Sequence, residues 1–384
     1  MNINSEVLKK IFFLISLIIV SSCRNESKNE NSKNQEGEDV SIENARGFSI
    51  EKFDGYSIMK VHTPWPEAKD PFIYLLKEKN AEIPGDLEYD QKVEVPVEKI
   101  VVTSTTHIPA LEALKEEKTL VGFPGLNYIS SEKTRKLIDN NNITELGQNE
   151  NINTETLINL SPDVVIAFAI NASNKSFETI QKTGIPVIYN GDWTEMTPLG
   201  KAEWIKFFGA FYGKEKMAAE IFKNIKSEYL EAKELAKSAK SQPRVMSGSM
   251  YNDNWYMPYG NSWQAQFIED ANANYIYSDT EGDGSLSLAF ESVLEKAEDA
   301  EFWISSGQFI SYEQLFNESE HYKRFKAVKE QNVYSVSLSQ GATGGVLFYE
   351  LGPQRPDLIL KDLIAIFHPE LLKDHEQVFY KPLN

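Results

Sequence analysis

The chain has 384 residues, a net charge of −18 at neutral pH, 11% aromatic residues and one cysteine. The negative balance argues against a nucleic-acid partner, since nucleic acid attracts basic surfaces. The lone Cys23 can form neither an intramolecular disulfide nor a cysteine-built zinc site.

In chain order, Lys9 and Lys10 precede the apolar run Ile11 to Val20, about half of the roughly twenty residues that a spanning helix needs. Basic, apolar and small residues in that order predict a signal peptide over 1–22. The site Val20-Ser21-Ser22-Cys23 looks like a bacterial lipobox, with Cys23 as the lipidation position; the alternative is a plain signal peptide with an incidental cysteine. Residues 23–46 are rich in Asn, Glu, Ser and Lys and cannot bury enough surface to fold, so they predict a disordered tether. The remaining chain is long enough for two lobes. Residues 47–97 read as a hairpin extension whose strands, Phe53 to Val61 and Phe72 to Leu76, flank Thr63-Pro64-Trp65-Pro66.

Residues 98–197 read as an N-terminal lobe. Ile100-Val101-Val102 is a β-branched run of the kind that buried parallel strands use. Further strands are predicted at Leu120 to Phe123, Val164 to Phe168 and Pro186 to Tyr189, with helices near 131–140, 154–160 and 174–182. Strand–helix alternation implies a right-handed parallel α/β sheet. Residues 198–240 read as a helical segment. Thr197 as N-cap and Pro198 at the first position start one helix, which runs to Tyr212. From Lys214 to Ala239 apolar residues recur at three- and four-residue steps, predicting a one-sided helix about 39 Å long. It serves either as a strut between lobes or as an ordinary packing helix.

Residues 241–384 read as a C-terminal lobe. It has strands at Arg244 to Ser249, Phe302 to Ile304 and Val333 to Val336, and an aromatic-rich loop from Tyr251 to Asn261 before the N-cap Ser262. A glycine loop, Gly341 to Gly345, precedes a helix near 356–367. Glu155 and Glu291 each open a short helix eight residues before an aspartate and a strand, which suggests a tandem of related lobes. The fold class is therefore α/β in two lobes, each a parallel sheet flanked by helices.

Residues 96–384 resemble the helical-backbone ABC solute-binding proteins that carry ferric siderophores, haem and cobalamin. The resemblance rests on Ile100-Val101-Val102 with its Thr/Ser-rich loop, Glu155 followed by Leu160-Ser161-Pro162-Asp163, the long helix and Phe290-Glu291-Ser292. It extends to the ending Arg355-Pro356-Asp357-Leu358 through His368-Pro369-Glu370-Leu371. It implies two lobes joined by one long rigid helix with the ligand cleft between them. It also implies a monomeric carrier that delivers an iron complex, either a ferric siderophore or haem, to an ABC permease and its ATPase; the alternative ligand is cobalamin or another corrinoid. Glu155 and Glu291 would dock on arginines of the permease, while helix capping through the dipole explains the same carboxylates. The place would be the cell envelope, lipid-anchored on the periplasmic face of the membrane or the outer cell surface.

Ligands in open α/β sheets bind beyond the carboxyl ends of the strands. The loops that qualify are Ser104 to His107, Phe123 to Tyr128, Phe168 to Asn171 and Asp192-Trp193, then Tyr251 to Trp263, Ser305 to Gln308 and Gln340 to Gly345. The individual candidates are Ser104, Thr105, His107, Tyr128 and Trp193 in the first lobe and Tyr251, Trp255, Tyr256, Trp263, Tyr349 and Arg355 in the second. Aromatic faces suit a tetrapyrrole or a catecholate by stacking. Arg355 pairs either with a ligand carboxylate or with Asp357. His107 either reaches a metal inside a bound haem or corrinoid or is a hydrogen-bonded loop residue. No His, Asp and Glu set has bare-metal spacing, so no protein-held metal and no cofactor is expected. No Gly-x-Ser-x-Gly elbow, phosphate-cradling loop or zinc-hydrolase motif is present, so the chain is not expected to be an enzyme. An enzyme on a similar scaffold and an adhesion or scaffold lipoprotein are the competing readings.

Overall fold

A computed structural model of the chain describes residues 37–384. The expected signal peptide, Cys23 and residues 23–36 of the expected tether lie outside the described residues. Among the described residues, no helix is long and apolar enough to cross a membrane.

The β-branched runs form the first parallel sheet. Its strands, in spatial order, are Val187–Tyr189, Val164–Ala167, Ile100–Val102, Leu120–Phe123 and Thr144–Glu145. Ile100–Val102 and Val164–Ala167 are buried throughout, as continuous apolar strands covered on both faces must be. The second sheet runs Asn274–Tyr275, Arg244–Ser247, Phe302–Ile304 and Val333–Ser335 in parallel, closed by Lys381–Pro382 antiparallel. Each sheet carries helices on its faces, giving the two-lobed α/β architecture.

The segment between the lobes is helical, with one interruption. Thr197 caps Pro198–Glu203 by accepting from Gly200 N–H, and the chain turns at Trp204 before Ile205–Phe211. The long helix is Glu215–Ala236, with 22 residues, or about 33 Å at the usual rise. It is shorter than predicted because Lys237 to Ala239 leave the helical path. Ala218, Phe222 and Ile225 enter the core of the first lobe, and Tyr229, Ala232 and Ala236 that of the second. One apolar stripe thus serves two cores, and the helix is a strut.

Other expectations need correction as well. Phe53 to Val61 is not one strand: Gly55, at φ 79°, turns the chain between Phe48–Phe53 and Tyr56–Val61. These strands, with Glu38–Asp39, Phe72–Glu78 and Gln91–Val95, make a five-stranded sheet instead of a lone hairpin. Residues 37–46 are also ordered, because buried carboxylates hold them. Glu203, fully buried, accepts from the amides of Glu43, Asn44 and Ala45 at 2.5–2.9 Å and pairs with Lys206 at 2.7 Å. Glu195 accepts from Arg46 and Gly47 N–H, both at 2.8 Å.

Tyr251 to Asn261 is likewise not a loop. Ser249–Tyr251 and Asn254–Pro258 form a hairpin, extended by Ser285–Ala289 into a three-stranded sheet. Asn252 and Asp253 both take positive φ, at 47° and 64°, as a two-residue hairpin turn requires.

Glu203→Ala leaves three backbone amides without their acceptor and the buried Lys206 ammonium without its carboxylate, with only the Ser41 carbonyl remaining to it. The expected loss is about 3–5 kcal/mol of unfolding free energy, read from the urea midpoint. A loss below about 1 kcal/mol would show that water replaces the carboxylate there.

Candidate functional site

Parallel strands end on the same side, so the loops that follow Ile100–Val102, Leu120–Phe123 and Val164–Ala167 converge. They bring Thr103, Ser104 and Thr105 together with Phe123, Pro124 and Phe168 around a cavity of about 510 Å³. A small hairpin, Gly147–Gln148 with Asn151–Ile152, supplies Gln148, Asn149 and Glu150 from its strand and turn. The second lobe closes the cavity with Gly344, Gly345, Val346 and Tyr349. Hydrogen bonds fix the walls. Phe168 N–H donates to Thr103 Oγ1 at 2.8 Å, Thr106 N–H to Ser104 Oγ at 3.3 Å, and Asn149 Nδ2 to the Phe168 carbonyl at 3.3 Å. Tyr128 and Tyr349, 62% and 60% exposed, present their rings at its rim from opposite lobes.

Next to this cavity the lobes touch. The buried Glu350 carboxylate accepts from the amides of Ser130 and Ser131 at 2.6 and 2.8 Å. Those residues precede helix Glu132–Asp139, so a second-lobe acid occupies a first-lobe helix N-terminus. Thr343 Oγ1 donates to the Asn127 carbonyl at 2.8 Å. Gly341 and Gly345 permit this approach: a Cβ at Gly341 would lie 2.6 Å from Ser130 Cα, and one at Gly345 2.5 Å from the Tyr128 carbonyl oxygen. Burial pushes the Glu350 carboxyl up to about 7, with Glu112 adding to it and the two amides opposing. A further cavity of about 590 Å³, lined by Glu112, Arg135, Gln340 and Leu347, shares the same Ser130–Glu350 contact.

Of the sequence candidates, Ser104, Thr105, Tyr128 and Tyr349 meet in the first cavity. Trp193 stands behind its wall, 5.8 Å edge-on from Phe168, with Nε1 donating to the Pro64 carbonyl at 3.1 Å. Trp263 is half-buried and stacks on Phe348 at 5.8 Å, with Lys201 Nζ 5.1 Å from its ring centroid. Lys201 is itself buried, which pulls its pKa down to about 8, and it donates to the Asp192 and Trp193 carbonyls. Tyr251 and Tyr256 are exposed on the three-stranded sheet, outside the cavity lining.

Three candidates are corrected. Trp255 is fully buried against Trp303 at 5.2 Å, with Nε1 donating to the Ser247 carbonyl; alternation along its strand turns it into the core. His107 is fully buried beside Phe208 at 5.4 Å, and burial pushes its pKa down. A neutral imidazole inside the lobe core cannot reach a ligand in the cleft. Arg355 is held on both oxygens of Asp357, at 2.9 and 2.7 Å, so the ion-pair alternative is the one realised. Glu155 and Glu291 are exposed in the first turns of Thr154–Leu160 and Phe290–Ala297. Asn149, Glu150 and Glu350 were not among the candidates. A glycine loop leading to an acid was the only sequence signal for Glu350, and the turn at Asn149 and Glu150 carried none.

Residues 100–337 match the family described as periplasmic binding protein. An uncharacterized lipoprotein of Methanocaldococcus jannaschii is 27% identical over 325 residues, covering 81% of this chain and 76% of its own. A periplasmic heme binding protein from Pseudomonas aeruginosa superposes with a TM-score of 0.56 at 16% identity, covering 75% of this chain and 95% of that one. The periplasmic vitamin B12 binding protein of Vibrio cholerae reaches 0.51 at 13% identity, covering 73% and 99%. At these identities the two structures show the fold.

The lobe contact has a pH signature. The folded state holds a proton on Glu350 up to about 7, whereas the unfolded chain releases it near 4.5. Stability should therefore fall as pH rises through that window, by an amount of order 3 kcal/mol, and level off above it. Comparing denaturation midpoints on either side of the window, Glu350→Gln should flatten this slope; an unchanged slope would assign it to other groups.

Proposed function

Because this chain belongs to the periplasmic binding protein family, we propose that it is the solute-binding component of an ABC importer. It captures an iron complex, a ferric siderophore or haem, and hands it to the membrane permease and its ATPase. The observation that carries this reading is the cavity at the carboxyl ends of three parallel strands, closed from the other lobe by Gly344 to Tyr349. Its volume suits a small ligand and its rim offers two tyrosine faces from opposite lobes. The chain acts as a carrier, binding its ligand without turnover and needing no cofactor of its own.

The lipid on Cys23 and the tether after it would hold the carrier at the cell envelope as a monomer with both lobe tips free. Glu155 and Glu291 would seat in arginine pockets of the permease, where exposed carboxylates give register and association rate more than affinity. Ser104, Thr105, Tyr128 and Tyr349 would contact the ligand, while Trp193 and Trp263 would support the walls.

Protein purified from its native host should carry an iron chelate or haem visible in its absorbance spectrum. A corrinoid spectrum would reassign the ligand to a cobalamin. Tyr128→Ala and Tyr349→Ala should each weaken binding about 10-fold in fluorescence titrations; full affinity in both would place the ligand elsewhere. Glu155→Lys combined with Glu291→Lys should abolish uptake in cells while ligand affinity stays within about two-fold. Uptake that persists in the double variant removes the docking roles.

A further inference from the structure

We infer that the cleft selects a ligand without net negative charge. The inference rests on the proposed reading of this cavity as the ligand site. Hydrogen bonding there comes from neutral groups: the hydroxyls of Ser104, Thr105, Tyr128 and Tyr349 and the amides of Gln148 and Asn149. The one charged side chain in the lining is Glu150, and among the described residues no lysine or arginine lines the cavity.

Three positive side chains of the two lobes are engaged within the protein, while Lys136 lines the further cavity and not this one. Arg135 turns its guanidinium to the Leu126 carbonyl at 2.7 Å and toward Asp139 at 3.8 Å. Arg355 is held by Asp357, and Lys201 is buried on two carbonyls. Helix dipoles are spent in the same way. The N-terminus of Glu132–Asp139 is filled by the Glu350 carboxylate, and Ser104 Oγ accepts from the Thr106 amide in the turn after Ile100–Val102.

An anion entering this space would shed water next to a carboxylate, with no cation to replace its hydration. The chain's net charge of −18 adds repulsion at longer range. Neutral or cationic chelates with apolar faces, such as ferric trihydroxamates, and uncharged corrinoids meet these conditions. Tricatecholate iron and haem, with its propionates, do not.

The test is a set of intrinsic-fluorescence titrations of the full chain. The probes are a cationic and a neutral ferric trihydroxamate, a trianionic ferric tricatecholate, haem and cyanocobalamin. At low ionic strength at least one neutral or cationic probe should bind about 100-fold more tightly than either anionic one. Glu150→Lys should narrow that ratio several-fold. Tricatecholate or haem binding as tightly as the neutral probes would overturn the charge selection while leaving the carrier reading intact. Failure of every probe, of either charge class, would overturn both.

Discussion

The apolar stripe on Glu215–Ala236 is shared between two cores, and the geometry of the rest follows from that sharing. Phe222 and Ile225 are locked into the first lobe and Tyr229 and Ala232 into the second. A helix at 1.5 Å per residue barely changes length, so the spacing of the two sheets is set by the distance between those side chains. Rotating one lobe about this axis would strip apolar area from water-free packing on one side or the other. The cleft is therefore bounded by a strut that resists changes in the spacing of the lobes.

A polar contact of another kind complements the strut. Glu350 crosses from one lobe to fill the amide pair at Ser130 and Ser131 in the other. Unlike the apolar stripe it is directional and depends on one carboxyl group whose burial is unfavourable when charged. The two links divide the work: packing sets the distance between lobes, and the carboxylate sets which loops face each other. Gly341 and Gly345 matter because side chains there would keep Tyr128 and Ser130 away from the second lobe.

Most of the fold was legible in the sequence because buried parallel strands are written as short β-branched runs, and Ile100-Val101-Val102 and Val164-Val165-Ile166 can form little else. The long helix was legible from its stripe, and Thr197-Pro198 from capping. The misreadings have a common cause: local composition conceals long-range partners. Residues 37–46 look too polar to fold, and by themselves they are; their partners, Glu195 and Glu203, lie about 150 positions away. The aromatics from Tyr251 to Tyr259 looked like a lining, but strand alternation sends Trp255 inward and Tyr256 outward. The cavity itself was half legible. Strand-end logic located Ser104, Thr105 and Tyr128, whereas Asn149, Glu150 and Glu350 come from a hairpin turn and a lobe contact that no periodicity announces.

The carboxylate clip on residues 43–45 has a mechanical consequence. Asp362 treats residues 378–380 in the same manner, accepting from the amides of Val378, Phe379 and Tyr380. Tension arriving at Glu43 from upstream would load three amide bonds at once, together with the Lys226–Glu43 ion pair on the long helix. Such a load is borne in parallel and passes into the strut, so only the edge strand Glu38–Asp39, which precedes the clip, is exposed to peeling, and the strands from Phe48 onward are shielded. A pull at Glu43 would be absorbed at the helical spine, ahead of the parallel strands whose ends line the cleft.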